Sequence, residues 1–354
     1  GDLVLESGEV IEDCRISACI LGMDRPTRTV LTTASIAGTH RRLDFLIGPG
    51  RALDTDRYRI IATDALGNGL SSSPSNSTAQ PGTGFPGFTI RDMVESQAVL
   101  LDHLNIDRID LVIGASMGGM QALQWAVSHP TRVQSVVAIT PMARSTAWSR
   151  SVNAVSRQLL VSDRGWTQGA IDAKTWHGWA ALMSIIAGRT PDSISAEFPT
   201  DDADALLNQE QASILERNLD PRDWIWQTHA YDGHDVGQTP GHDGDTAKAL
   251  STIDVPVLVL AAPGDLYNPE AAARWAAEQI PAAEYLEIPS VHGHQAGASR
   301  SDRDVEFMNR EVSRFLAALR GRILSVLHHH DRPDTIADTH GIKPLVDLVE
   351  LKPA

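Results

Sequence analysis

Cysteine is nearly absent: the chain has only Cys14 and Cys19. An odd offset along one expected strand points them to opposite faces, so no bridge between them is expected. Both read as buried thiols of a reducing cytoplasm. Basic residues are outnumbered: 30 Lys and Arg against 45 Asp and Glu leave a formal net charge of −15. That balance argues against non-specific nucleic-acid binding. No apolar run approaches the length of a membrane span, so no membrane partner is expected. The opening residues Gly1-Asp2-Leu3 show no basic segment leading into an apolar core. No secretory leader is read there, and the expected location is cytoplasmic. No repeat of fixed period is found. What is present is 354 residues, 42% of them hydrophobic. That is enough for one large α/β domain with an inserted subdomain.

One stretch organises the rest. Residues 109–125 read IDLVIGASMGGMQALQW. Ile109, Leu111, Val112 and Ile113 form a short apolar, partly β-branched run, as a buried parallel strand does. Gly114-Ala115-Ser116-Met117-Gly118 then fits G-x-S-x-G, and Met120, Leu123 and Ala126 recur at helical spacing. Strand, tight turn and helix make this pattern a nucleophile elbow, with Ser116 on a strained turn. Gly114 and Gly118 take away side chains that would collide where strand and helix meet. At the helix N-terminus the Met117 N–H and the helix dipole can stabilise an oxyanion.

Residues 3–22 suit one or two antiparallel edge strands. Val30–Ala34 is a stronger strand, and Ser35, Ile36 or Ala37 in the loop after it is expected to give the second oxyanion N–H; Ile36 is our choice. Tyr58–Thr63 reads as a strand and Ser71–Pro86 as a long loop. A helix is expected over Thr89–Leu104, with Thr89 as N-cap and Asp92 completing a capping box. Val133–Ile139 is another buried strand. From Pro141 to Ala249 strand-like runs vanish and tryptophans cluster: Trp148, Trp166, Trp176, Trp179, Trp224 and Trp226. Helical periodicity shows at Val152-Val155-Leu159 and Trp179-Leu182-Met183-Ile186. Asp201-Asp202-Ala203-Asp204 reads as a solvated helix start. Val255–Ala261 and Ala283–Ile288 are strands again, with a helix begun by Pro269 between them and a closing helix over Val305–Leu319. The expected fold is therefore α/β of the α/β-hydrolase type, a mostly parallel central sheet flanked by helices. Residues 1–140 and 250–320 form its core, 141–249 an inserted helical lid, and 321–354 a C-terminal extension. His328-His329-His330 in that extension reads as a solvated run.

Ser116 needs a base, because an alcohol near neutral pH is a weak nucleophile. In this fold the acid follows a late strand and the histidine the last one. Asp265 follows the VPVLVLA strand; His292 and His294 follow the EYLEI strand. The expected catalytic set is Ser116, Asp265 and His294, the last preferred over His292 because Gly293 precedes it. His234-Asp235 and His242-Asp243 resemble a metal box, but their spacing and glycine- and proline-rich setting read as a lid loop, so no metal is expected. Gly67-x-Gly69 lacks the third glycine of a dinucleotide site.

With these residues in hand, the sequence resembles the homoserine O-acetyltransferase family over most of residues 1–320. GASMGGMQALQW at 114–125 is the most specific segment, supported by IGPGRALDTDRY at 47–58, TIRDMVESQ at 89–97 and Gly293-His294. The resemblance implies acylation of the serine from acetyl-CoA, transfer to an amino-acid hydroxyl, and dimerisation through lid helices. It also implies that Arg157, in Val155-Ser156-Arg157-Gln158, binds the acceptor's carboxylate. Three segments depart from the family pattern. Gln295 follows His294 where aspartate is usual, residues 163–171 hold no tyrosine, and residues 64–75 lack the usual glycine-rich wording. The leading expectation is therefore a serine hydrolase cleaving an ester, thioester or similar small-molecule acyl bond, with no cofactor. The alternative is an acyl-CoA-dependent O-acyltransferase with acetyl-CoA as co-substrate. A non-catalytic binding protein on a hydrolase scaffold is the third reading.

Overall fold

The computed structural model describes residues 1–22, 28–197 and 219–327, together with 205, 208, 212, 216, 217 and 349–350. The acidic run 201–204 and His328–His330 lie outside the described residues.

The chain opens with a small antiparallel pair, β1 (Leu3–Val4) and β2 (Val10–Ile11), followed by β3 (Arg15–Ile16) and β4 (Ala18–Gly22). β5 (Thr29–Thr33) and β6 (Arg59–Thr63) come next, then helix α1 (Ile90–His103), β7 (Leu111–Ala115), helix α2 (Met117–Ser128) and β8 (Val136–Ile139). The described helices of the 141–249 segment are α3 (Ala147–Val161), α4 (Ala173–Ile186), α5 (Pro191–Glu197), α6 (Pro221–Asp232) and α7 (Thr246–Ser251). β9 (Val257–Ala261), α8 (Glu270–Gln279), β10 (Ala283–Glu287) and α9 (Asp302–Leu327) follow.

The main sheet runs β10-β9-β8-β7-β5-β6-β4. Every pairing is parallel except β4 with β6, which makes β4 the antiparallel edge expected from residues 3–22. β7, β8 and β9 are unbroken apolar runs because both sheet faces are covered. Leu31, Ile61, Val112, Ala138 and Val259 point to the side packed by α1 and α2. Val30, Ile60, Ile113, Val137 and Leu258 point to the side packed by α9. Thr89 caps α1 through Asp92 N–H while Asp92 accepts from Thr89 N–H, the reciprocal box the sequence spells out. Such a cap contributes about 1 kcal/mol.

Four expectations shift. Pro269 is the N-cap residue of α8, not its first helical position. The closing helix runs to Leu327, through the boundary drawn at 320, and Val349–Glu350 pairs with β3. In α3 the buried positions are Ser149, Val152, Asn153, Ser156 and Leu160; Val155 is exposed. Cys14 is buried and its thiol pushed up to about 11 by lost hydration, but Cys19 is only partly covered; both are free. They lie on different segments, Cys14 before β3 and Cys19 within β4.

Candidate active site

Ser116 sits between β7 and α2 with φ +59° and ψ −124°, outside the regions a side-chain-bearing residue prefers. Such backbone costs roughly 1–3 kcal/mol and is typical of functional positions. The flanking glycines make it sterically attainable. A Cβ on Gly114 would fall onto Thr33 Oγ1 and the Gly118 backbone, and one on Gly118 onto the Thr33 carbonyl. The turn is tied into the sheet as well: Ser116 N–H donates to the Ile139 carbonyl at 2.9 Å.

The sheet then delivers the other two groups. Asp265 follows β9 and His294 follows β10, at the carboxyl ends of adjacent parallel strands. His294 Nε2 lies 2.8 Å from Ser116 Oγ, and His294 Nδ1 lies 2.7 Å from Asp265 Oδ2. The tautomer with its proton on Nδ1 satisfies both: Nδ1–H donates to the carboxylate and Nε2 accepts from the hydroxyl. All three side chains are buried. Asp265 Oδ1 accepts from the Tyr267 and Asn268 N–H groups, each at 2.8 Å, which fixes the carboxylate's rotation. Gly293 has φ +53°, and a Cβ there would press on Thr190 and the Gly264 carbonyl. The acid and base loops therefore pack together through this glycine. His292 is placed elsewhere, 2.7 Å from Asp304.

Among the expected oxyanion donors, neither the Met117 nor the Ile36 N–H has a hydrogen-bond partner among the described residues, and Ile36 lines the same cavity as Ser116. The Ala37 N–H is engaged, donating to Gln227 Oε1 at 2.8 Å. Ser35 is held through its hydroxyl, which donates to the Ala115 carbonyl and accepts from Arg42 Nε.

The cavity has a volume of about 390 Å³. Its floor is Ser116 and His294; the 141–249 segment supplies Trp179, Met183 and Trp224. Arg157 is a correction to the sequence reading, because it does not line this cavity. Its Nη2 pairs with Asp232 of α6 at 2.7 Å, and it borders a separate hollow with Trp166, Trp226 and His229. The reason is local: α3 turns Arg157 toward a carboxylate that the sequence pattern did not connect to it. From Asp232 the contacts continue through Asn153 Nδ2 at 2.7 Å to the Tyr267 hydroxyl at 2.8 Å. The Tyr267 ring stands edge-on to His294, with centroids 5.2 Å apart. Sequence reasoning missed Asn153, Tyr267 and Asn268. Only the nearness of the last two to Asp265 signalled them.

In the two His-Asp pairs of residues 234–243, the side chains of His234, Asp235 and Asp243 have structural partners. His234 Nε2 lies 3.1 Å from the Met142 carbonyl, and burial, with Arg91 nearby, pushes its pKa down to about 3. Asp235 accepts from Gly237 N–H and Thr246 Oγ1, both at 2.8 Å. Asp243 pairs with Lys248.

Residues 47–295 match the family model for the alpha/beta hydrolase fold. The homoserine O-acetyltransferase of Nostoc punctiforme is 34% identical, over 71% of this chain and 75% of that protein. The structure of the acetyl esterase MekB superposes with a TM-score of 0.81 at 26% identity, over 90% of this chain and 95% of that one. The homoserine O-acetyltransferase of Bacillus anthracis gives 0.79 at 22% identity, over 89% and 95%. Among the described residues no helix is long and apolar enough to cross a membrane. A strained serine on a strand–helix turn, a histidine and an aspartate in hydrogen-bonded line, and this degree of likeness converge: the chain belongs to the homoserine O-acetyltransferase family of α/β-hydrolase-fold enzymes.

Proposed function

We propose that the protein transfers an acyl group from acetyl-CoA to an alcohol through an acyl-enzyme on Ser116, with no further cofactor. The observation that carries this reading is the unbroken Ser116–His294–Asp265 hydrogen-bonded line at the floor of the cavity. Ser116 Oγ bonds to the acyl carbon while His294 Nε2 takes its proton. The carbonyl electron pair moves onto oxygen, where the Met117 and Ile36 N–H groups stabilise it. The carbon–sulfur bond then breaks and His294 returns the proton to the thiolate. In the second half the acceptor hydroxyl gives its proton to His294 and attacks the acyl carbon, and Ser116 leaves with the proton restored. Asp265 holds the Nδ1–H tautomer and offsets the imidazolium charge in both halves. Homoserine is the acceptor suggested by the names of the relatives. Trp148 and Val155, both exposed and two helical turns apart on α3, support a dimer formed through the lid.

Hydrolysis, with water as acceptor, is the second reading. It is favoured by the likeness to an acetyl esterase and by the position of Arg157, which pairs with Asp232 and does not line the Ser116 cavity. The complete triad geometry argues against a merely binding role. The deciding measurement is CoA release from acetyl-CoA with and without homoserine, beside hydrolysis of short acyl esters. Homoserine-dependent release supports transfer; release without homoserine, with ester turnover, supports hydrolysis. No release, no ester turnover and no labelling of Ser116 by a fluorophosphonate would overturn the acyl-enzyme reading.

A further inference from the structure

The chain carries a net charge of −15, yet among the described residues the cavity over Ser116 is lined by Arg42, Arg217 and Arg300 and by no Asp or Glu. Arg300 is neutralised, because its Nη2 lies 2.9 Å from Glu197. Arg42 and Arg217 are different. Arg42 Nε donates to Ser35 Oγ at 2.8 Å, and Arg217 donates to the Ala37 carbonyl. Both acceptors are uncharged. Among the described residues no carboxylate lies within ion-pair distance of either guanidinium, whereas Arg91, Arg132, Arg157 and Arg222 each have one.

Two cations left without a counter-charge inside a cavity are costly, since each loses hydration and they repel. Burial first, then Arg217, lowers the Arg42 pKa to about 10, so the group stays charged at neutral pH. Arg217 keeps open surface toward the cavity, and its pKa is also lowered by lost hydration. Each guanidinium presents five N–H donors, and neutral acceptors use few of them. Such a pair matches an anionic oxygen group, which takes parallel hydrogen bonds and cancels the charge.

We infer that Arg42 and Arg217 form the anion-reading element of the Ser116 cavity, taking a carboxylate or phosphate of the molecule that donates or accepts the acyl group. The inference rests on the acyl-enzyme reading above and supplies its substrate class: an acidic ligand, recognised without Arg157. The two arginines hold the loop at Ser35 and Ala37, on either side of Ile36. An anion bound between them therefore also steadies the expected oxyanion donor.

The test follows the rate at which a fluorophosphonate labels Ser116, with succinate as the carboxylate probe, coenzyme A as the phosphate probe and succinamide as the uncharged control. Wild type, R42Q, R217Q and the charge-retaining R42K and R217K are compared, with folding checked by circular dichroism. Succinate or coenzyme A is expected to slow wild-type labelling at concentrations where succinamide does not. The concentration needed should rise tenfold or more in each glutamine variant and return part of the way in the lysine variants. Protection by succinate but not coenzyme A assigns the site to a carboxylate, and the reverse to a phosphate. No protection of wild type by either anion, or equal protection in wild type and both glutamine variants, overturns the inference and leaves the acyl-enzyme reading standing. Failure of wild type to label at all would instead remove that reading and this inference with it.

Discussion

The elbow and the helical segment 141–249 treat side chains differently. At the elbow, neighbours in sequence are neighbours in space. Gly114, Ser116, Met117 and Gly118 take their roles from one strand–turn–helix connection, and Asp265 and His294 reach them along adjacent strands. In the 141–249 segment, side chains find partners far along the chain. Arg157 meets Asp232, Trp224 Nε1 donates to Ser156 Oγ, and Ser75 donates to Asp223. Backbone strain and close packing make the first region readable from spacing. Helix rotation and helix pairing decide the second. A residue built into a strained turn is thus easier to place from sequence than one carried on a helix face.

The largest effect is expected at the elbow. Ser116→Ala should lower turnover by roughly 10⁶-fold, as removal of a triad nucleophile does, and abolish fluorophosphonate labelling while the thermal midpoint stays near that of the wild type. Labelling that persists in the variant would place the nucleophile elsewhere.

The two histidines of the last loop form a finer contrast. His294→Ala should cost several powers of ten in kcat, because base and tautomer control disappear together. His292→Ala should cost within about tenfold, because its partner is Asp304. Steady-state kinetics on one ester separates them; the reverse ranking would reassign the base.

Arg157→Ala probes the 141–249 segment. Removing the guanidinium leaves Asp232 without its ion-pair partner and loosens the line through Asn153 to Tyr267. Stability should fall by about 1–3 kcal/mol, read as a lower melting temperature. Turnover of acidic and neutral substrates should fall by the same factor. A selective loss on acidic substrates would return Arg157 to the binding site and count against Arg42 and Arg217.

The smallest effect at neutral pH is expected at His234. Its folded-state pKa is depressed to about 3, so the unfolded chain binds more protons between that value and the usual histidine range near 6.5. Stability should therefore be lost as pH falls through that window. His234→Gln should flatten this part of the stability–pH curve in denaturant titrations; an unchanged slope would mean the buried imidazole does not control it.

The parallel sheet, the capped helix before the elbow, the strained serine and the places of Asp265 and His294 beside it were all legible in the amino-acid sequence. Each of these depends on backbone rules with a short reach: alternation, capping, glycine at a close approach, and the carboxyl ends of strands. It also set the membership that the comparisons bear out. Tertiary structure alone decided which face of α3 is buried, where Arg157 points, and which arginines enter the cavity. Those outcomes depend on the rotation of a helix about its axis and on partners many residues away, such as Asp232 for Arg157 and Ala37 for Arg217. A guanidinium on a long flexible stem has no preferred partner until the fold brings one within reach.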